Sequence, residues 1–168
     1  MTSPANLISM LDAGHELACI IIPTSGDSLL LPNVCVAEIV PWRRLKPVEE
    51  GPDWCLGLTG WRGLSIPVVD YPLMNESAGK YQPPARCLTV MNRVRTKAGP
   101  AFYAFAAQSL PRMVQLVRED LVKDDGNPGT MDLMRIQVGT EATVVPDLEG
   151  VERAVADLLN RISVQKVK

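Results

Sequence analysis

Short apolar runs separated by turn-forming residues make up the first half of the chain. Five of these runs are long enough to form strands, at residues 18–22, 29–31, 34–40, 55–58 and 64–69. The first ends in three isoleucines before Pro23, and the polar cluster 24–28 separates it from the second. Apolar runs of this length, bounded by Gly, Pro, Asp and Ser, are typical of β-strands joined by tight turns. The sequence therefore predicts a β-rich first half that begins with a hairpin.

The second half repeats this pattern after a polar stretch. Residues 72–84 are rich in proline and small side chains, which is typical of a boundary between structural units. Five more strand-like runs follow, at 86–91, 101–107, 113–117, 133–138 and 141–145. Many short strands with frequent turns favour small β-barrels. We therefore predict one domain over residues 1–168, with a first barrel at 16–72 and a second at 85–146.

A helical period appears at the C-terminus. Apolar residues recur there at steps of three and four and form one stripe, comprising Leu148, Val151, Val155, Leu158, Leu159 and Ile162. The stripe predicts a helix over residues 147–164 that packs against the barrels of its own domain. A brief helical turn is also predicted at residues 7–11.

Composition excludes several classes of protein. The 168 residues are 46% hydrophobic and 21% charged, which is ordinary for a folded domain. A net charge of −2 gives no basic surface for nucleic acid. No run approaches the roughly 20 apolar residues of a membrane span, and residues 1–7 lack the positive start of a signal peptide. We expect a cytoplasmic protein without direct membrane insertion.

The most informative segment is the glycine-rich turn at 57–63 and the strand that follows it. Glycines at 57, 60 and 63 allow a tight turn that holds Trp61 and Arg62 on a stiff hairpin. One aromatic and one arginine on a rigid platform are typical of a protein-recognition surface. Trp61 has two interpretations at this point, because it can cap the barrel core or project as an anchor for a partner.

Glu38 is the charged residue that most needs an explanation. Period-two alternation puts it on one strand face with Val34, Val36 and Val40. A carboxylate on an apolar face is costly unless it is paired, and Arg62 is the best cation for that pairing. The alternative is that Glu38 simply lies on an exposed edge.

Catalytic and metal-binding residues do not form a recognisable set. His15 is the one histidine, and it lies in a turn without a nucleophile nearby. The four cysteines, at 19, 35, 55 and 87, show no Cys-x-x-Cys pair and are expected to be buried apolar residues. The cluster 124–129 lacks the alternating ligands of a calcium loop. The sequence therefore predicts no cofactor, no metal and no enzyme activity.

Two segments resemble the CheW-like chemotaxis coupling family. They are residues 36–40, Val-Ala-Glu-Ile-Val, and 62–70, Arg-Gly-Leu-Ser-Ile-Pro-Val-Val-Asp. The resemblance implies two SH3-like five-stranded β-barrel subdomains closed by a C-terminal helix. Glu38 and Arg62 match acidic and arginine positions of the family, and Val34 and Val36 match the strand beside its binding groove.

The resemblance also implies a function and its partners. Members are non-catalytic adaptors between the cytoplasmic tip of a methyl-accepting chemoreceptor and the regulatory domain of a CheA-like histidine kinase. Gly60, Trp61 and the pair Tyr71-Pro72 depart from the usual pattern and resemble the ChpC-like accessory adaptors of type IV pilus systems. The partner-binding residues are then Val34, Val36, Glu38, Trp61 and Arg62. A small-molecule-binding β-barrel module and an enzyme using Cys55 or Cys87 are the alternatives.

Overall fold

The computed structural model describes residues 7–77, 85–94 and 100–167. Its strands are β1 (Leu17–Ile22), β2 (Ser28–Pro32), β3 (Val36–Pro41), β4 (Cys55–Trp61), β5 (Leu64–Val69), β6 (Cys87–Asn92), β7 (Phe102–Ala107), β8 (Arg112–Leu116), β9 (Leu121–Lys123), β10 (Asp132–Val138) and β11 (Glu141–Pro146). Its helices are α1 (Leu7–Asp12), α2 (Tyr71–Met74) and α3 (Leu148–Val167), and the segments Asn33–Cys35 and Arg118–Asp120 are 3-10 turns. The predicted mainly β fold with a C-terminal helix is confirmed.

The strands form two curled, mostly antiparallel sheets, each of which contains one parallel pair. Sheet 1 has the order β8-β1-β2-β11-β10-β9, and sheet 2 has the order β3-β6-β7-β5-β4. Sheet 1 therefore has six strands where five were expected, the extra one being the three-residue β9.

The chain is not divided between the sheets at residues 72–84. Sheet 1 takes strands from both ends of the chain, because β2 pairs in parallel with β11. Sheet 2 consists of the middle strands of the chain, β3 to β7, and the parallel pairing of β5 with β7 joins its two halves. The predicted barrels at 16–72 and 85–146 are wrong for this reason. Most of the polar stretch, residues 78–84, lies outside the described residues.

Three apolar clusters fill the space around the two sheets. The first-sheet cluster includes Cys19, Ile21, Leu30, Leu116, Leu121, Ile136 and Val145. The second-sheet cluster includes Val40, Trp61, Ile66, Val68, Leu88, Val90, Ala104 and Ala106. The central cluster takes residues from both sheets and from α3, among them Ile20, Ile22, Leu29, Leu31, Tyr103, Phe105, Val144, Val151 and Val155. Alternate residues of β1 and β2 thus pack in different clusters, which explains why these strands are continuously apolar.

Helix α3 closes the central cluster, as its apolar stripe predicted. Asp147 caps its start by accepting a hydrogen bond from the Gly150 backbone N–H at 3.1 Å. Leu148, Val151, Val155 and Leu158 are buried. Glu152 is fully buried on this helix and accepts a hydrogen bond from the backbone N–H of Val94. In the described part of the chain, no helix has the length and apolar character needed to span a membrane.

Strand β3 differs from its sequence prediction. Val34 lies on a 3-10 turn, and the strand begins at Val36. The register with β6 then shifts between Val36 and Glu38. Val36 packs against the central cluster, whereas Val40 belongs to the second-sheet cluster. The predicted common face of Val34, Val36, Glu38 and Val40 is therefore wrong, because a β-bulge interrupts the alternation.

The loop after β3 is held against β4 at Gly57. Lys46 and Leu58 exchange two backbone hydrogen bonds of 2.8 Å each. Gly57 has a φ of 143°, and a Cβ added to it would lie 2.7 Å from the carbonyl oxygen of Lys46. Only glycine fits this close approach without a shift of the backbone.

Replacing Gly57 by alanine is expected to lower the free energy of unfolding by about 1–3 kcal/mol, because of this contact and the strained φ. Gly60→Ala is the matched control on the same strand, since no atom lies within 4 Å of its added Cβ. Urea unfolding followed by tryptophan fluorescence measures both variants. Equal losses of stability would contradict the role given to Gly57.

Candidate partner-binding site

The hairpin of β4 and β5 presents Arg62 at its tip. Trp61 pairs with Leu64, so the turn consists of Arg62 and Gly63 alone. Both have positive φ, 46° for Arg62 and 77° for Gly63. Two-residue turns with positive φ at both positions match the twist of antiparallel strands. The backbone therefore fixes the direction in which the arginine leaves the sheet.

The predicted pairing of Glu38 with Arg62 is present, and Trp61 takes part in it. An Arg62 Nη2 atom lies 3.3 Å from Oε2 of Glu38. The indole Nε1 of Trp61 donates a hydrogen bond of 2.7 Å to the same oxygen. The guanidinium of Arg62 also lies 4.7 Å from the centre of the Trp61 ring, within the range of a cation–π contact. We call Glu38, Trp61 and Arg62 the acid–indole–arginine unit.

The structure decides between the two interpretations of Trp61. Its side chain is 4% exposed and packs against Phe102, with ring centres 4.7 Å apart. Trp61 is therefore a core residue and does not project as an anchor. The sequence contained a signal for its contact with Glu38, because a buried indole N–H requires an acceptor.

Glu38 and Arg62 remain partly accessible. The Arg62 side chain is 67% exposed and that of Glu38 is 40% exposed. A pair this exposed contributes little to stability, typically below about 1 kcal/mol. Its effect is instead to orient the guanidinium, since the carboxylate is itself held by a buried donor.

The other two predicted residues lie on the chain leading to Glu38. Val34 is 53% exposed, and its carbonyl oxygen accepts a hydrogen bond of 3.0 Å from Nδ2 of Asn92. Val36 is half-buried. Leu64, 44% exposed and directly opposite Trp61, was not predicted.

Arg43, on the loop after β3, also contacts the hairpin. Its Nη1 atom donates a hydrogen bond of 2.6 Å to the carbonyl oxygen of Gly60. Gly60 directly precedes Trp61, so a second guanidinium borders the acid–indole–arginine unit. No sequence signal connects Arg43 with Gly60, because the contact depends on the path of the loop.

The cysteines lack the properties of a nucleophile. Burial raises the pKa of Cys19 to about 11 and, together with the charge of Glu152, that of Cys35 to about 12. Burial also raises the pKa of Cys55 and Cys87. A reactive cysteine needs a lowered pKa. His15 is exposed, and the described residues contain no cluster of metal-ligating side chains.

A cavity of about 710 Å³ lies at β9 and β10 of sheet 1. Leu121, Met134 and Ile136 line it together with charged residues. The lining residues lie on these two strands and on the turns next to them, so the cavity is not enclosed between the two sheets. Neither Glu38 nor Arg62 lines it.

The described residues form two curled sheets closed by a C-terminal helix, a mainly β fold that presents a paired acid and arginine at one hairpin. The sequence matches the family model of the CheW-like domain over residues 18–155. The protein therefore belongs to the CheW-like domain family, whose members are scaffolds in chemosensory systems.

Comparison with solved structures supports the same fold. The scaffolding protein TtCheW from Thermoanaerobacter tengcongensis is similar, with a TM-score of 0.62 and 12% sequence identity. The match covers 79% of this chain and 89% of that one. No curated protein gives a significant match to the sequence.

The hydrogen bond between Trp61 and Glu38 is expected to be the strongest link in the acid–indole–arginine unit. A double-mutant cycle of Trp61→Phe and Glu38→Ala should give a coupling energy of about 1 kcal/mol, because Phe keeps the ring but removes the charged hydrogen bond. The matched cycle of Arg62→Ala and Glu38→Ala should give less, because both groups are solvated. Urea denaturation of the single and double variants supplies the energies. A coupling for the indole no larger than that for the guanidinium would disprove this order.

Proposed function

We propose that this protein is a non-catalytic adaptor that links the cytoplasmic tip of a chemoreceptor to the regulatory domain of a CheA-like histidine kinase. The observation that carries the proposal is the exposed guanidinium of Arg62, held beside Glu38 by a rigid two-residue turn. In this proposal the adaptor works in the cytoplasm, at receptor arrays on the inner face of the membrane.

The physical argument concerns the cost of ordering an arginine. A free arginine loses side-chain entropy when a partner fixes it, and this loss lowers its contribution to affinity. Arg62 is already restricted by its backbone, by Glu38 and by the Trp61 ring. It can therefore recognise a carboxylate or carbonyl group on a partner at a lower entropic cost.

The surface around the arginine also suits a protein partner. Leu64, next to the turn, is an exposed apolar side chain. An apolar contact beside an arginine is typical of interface hot spots. This surface contains an arginine anchor without requiring Trp61 itself to be exposed.

We further propose that the adaptor serves a chemosensory system that controls type IV pilus motility. The support is the sequence departure at Gly60, Trp61 and Tyr71-Pro72, which resembles the ChpC-like accessory adaptors. Trp61 is the departure with a visible consequence, because its indole N–H binds Glu38.

Arg62→Ala is expected to weaken binding of the cognate kinase regulatory domain about tenfold or more, the loss typical of an interface arginine. Calorimetric titration of the purified proteins measures the loss. Arg62→Lys should recover only part of the affinity, because lysine lacks the planar guanidinium. Arg118→Ala is the matched control, since it removes an exposed arginine paired with Asp12 near sheet 1 and should bind as wild type.

The same variants decide the cellular role. A strain that lacks the protein should lose twitching and keep swimming, and Arg118→Ala should restore twitching where Arg62→Ala does not. Full kinase binding by Arg62→Ala would contradict the proposed interface. Loss of swimming alone would assign the adaptor to flagellar signalling instead.

A further inference from the structure

Sheet 1 is left open between its two edge strands. β8 and β9 are consecutive in the chain and joined by residues 117–120, yet they lie at opposite ends of the strand order. Within the described residues, β8 pairs with β1 and β9 pairs with β10, and no ladder joins β8 to β9. Each strand therefore has one edge without a strand partner among these residues. An unpaired strand edge can accept an additional extended chain.

A groove of about 530 Å³ lies at these edges. Val114, Leu116, Val122 and Val138 supply its apolar wall. Val114 and Val138 are packed against the first-sheet cluster, so the wall is fixed by the core. Val122 is 61% exposed, which is high for a valine on a strand. We call this feature the edge groove.

The edge groove has a negative charge at the 3-10 turn. Glu119 and Asp120 line it, and none of its lining residues is basic. The neighbouring Arg118 is bound to Asp12 through its Nε at 2.7 Å. Asp120 stabilises the turn by accepting a hydrogen bond of 2.9 Å from the backbone N–H of Val117. An apolar wall beside two carboxylates complements a segment with apolar and cationic side chains.

We propose that the edge groove binds an extended peptide segment of a partner protein, with alternating apolar and basic residues, as an added strand of sheet 1. Main-chain hydrogen bonds to β8 supply the affinity, and alternate side chains supply the selectivity. β8 has five residues, so the bound segment is about five or six residues long. Apolar side chains contact Val122 and Val138, and a lysine or arginine faces Glu119.

This site is independent of the proposed kinase interface. The acid–indole–arginine unit lies on β3, on β4 and in the turn between β4 and β5, all strands of sheet 2, whereas β8 and β9 belong to sheet 1. The two surfaces therefore allow simultaneous binding of two different polypeptides. The edge groove can be tested without any knowledge of the kinase.

Three synthetic octapeptides test the proposal on the full-length, ¹⁵N-labelled protein. One alternates valine and lysine, the second replaces each lysine by glutamate, and the third replaces each valine by proline, which removes backbone donors. The Val–Lys peptide should shift the backbone amide signals of β8 and β9. The other two should bind at least tenfold more weakly.

A pair of protein variants localises the binding. Val122→Lys should reduce affinity for the Val–Lys peptide at least tenfold, and the exposure of Val122 means that the fold should be kept. Leu64→Lys is the matched control, because it adds the same charge at an exposed position of sheet 2. It should bind the peptide as wild type does.

Four results would overturn the proposal. They are no shift at β8 and β9 at millimolar peptide, equal binding of all three peptides, equal binding by Val122→Lys and wild type, and shifts confined to sheet 2. Concentration-dependent dimerisation abolished by Val122→Lys would also overturn it, because the occupant would then be a second copy of the chain.

Discussion

Burial of both faces of the inner strands is the constraint on which this structure depends. β1 and β2 alternate between the first-sheet and central clusters, and β5, β6 and β7 alternate between the second-sheet and central clusters. The central cluster belongs to neither sheet alone, so neither can separate without exposing the other's apolar residues to water. The hydroxyl of Tyr71, after β5, adds a polar link by donating a 2.8 Å hydrogen bond to Asp132 of β10. The two sheets therefore form one unit.

The rigid core also orients the exposed ion pair of Arg62 and Glu38. This pair is too exposed to stabilise the fold appreciably. The carboxylate of Glu38, however, accepts a hydrogen bond from Nε1 of Trp61, which is part of the second-sheet cluster. The buried Trp61 ring therefore fixes the positions of both charged groups relative to the core. A scaffold benefits from this arrangement, because its partners meet a surface that is already ordered.

The sequence was sufficient for local features and insufficient for long-range ones. Apolar runs located ten strands, and the stripe of α3 was correct. Of the two interpretations of Glu38, the structure shows the pairing with Arg62, which the sequence favoured because a stiff turn holds the planar guanidinium. The division into barrels failed because the parallel pairs of β2 with β11 and of β5 with β7 join distant segments, which local patterns do not encode. The bulge in β3 invalidated the alternation used for Val34 and Val36. β9 has three residues, too few for a periodic signal.

The two sheets share one apolar cluster, and this sharing predicts that they move as one body. Native-state hydrogen exchange tests this most directly, by comparing amides at the centres of the two sheets, such as Leu30 on β2 and Ala104 on β7. The shared central cluster predicts the same free energy of opening for both, equal to that of global unfolding. Opening of one sheet at a free energy lower by more than about 2 kcal/mol would show two separable units and contradict the account.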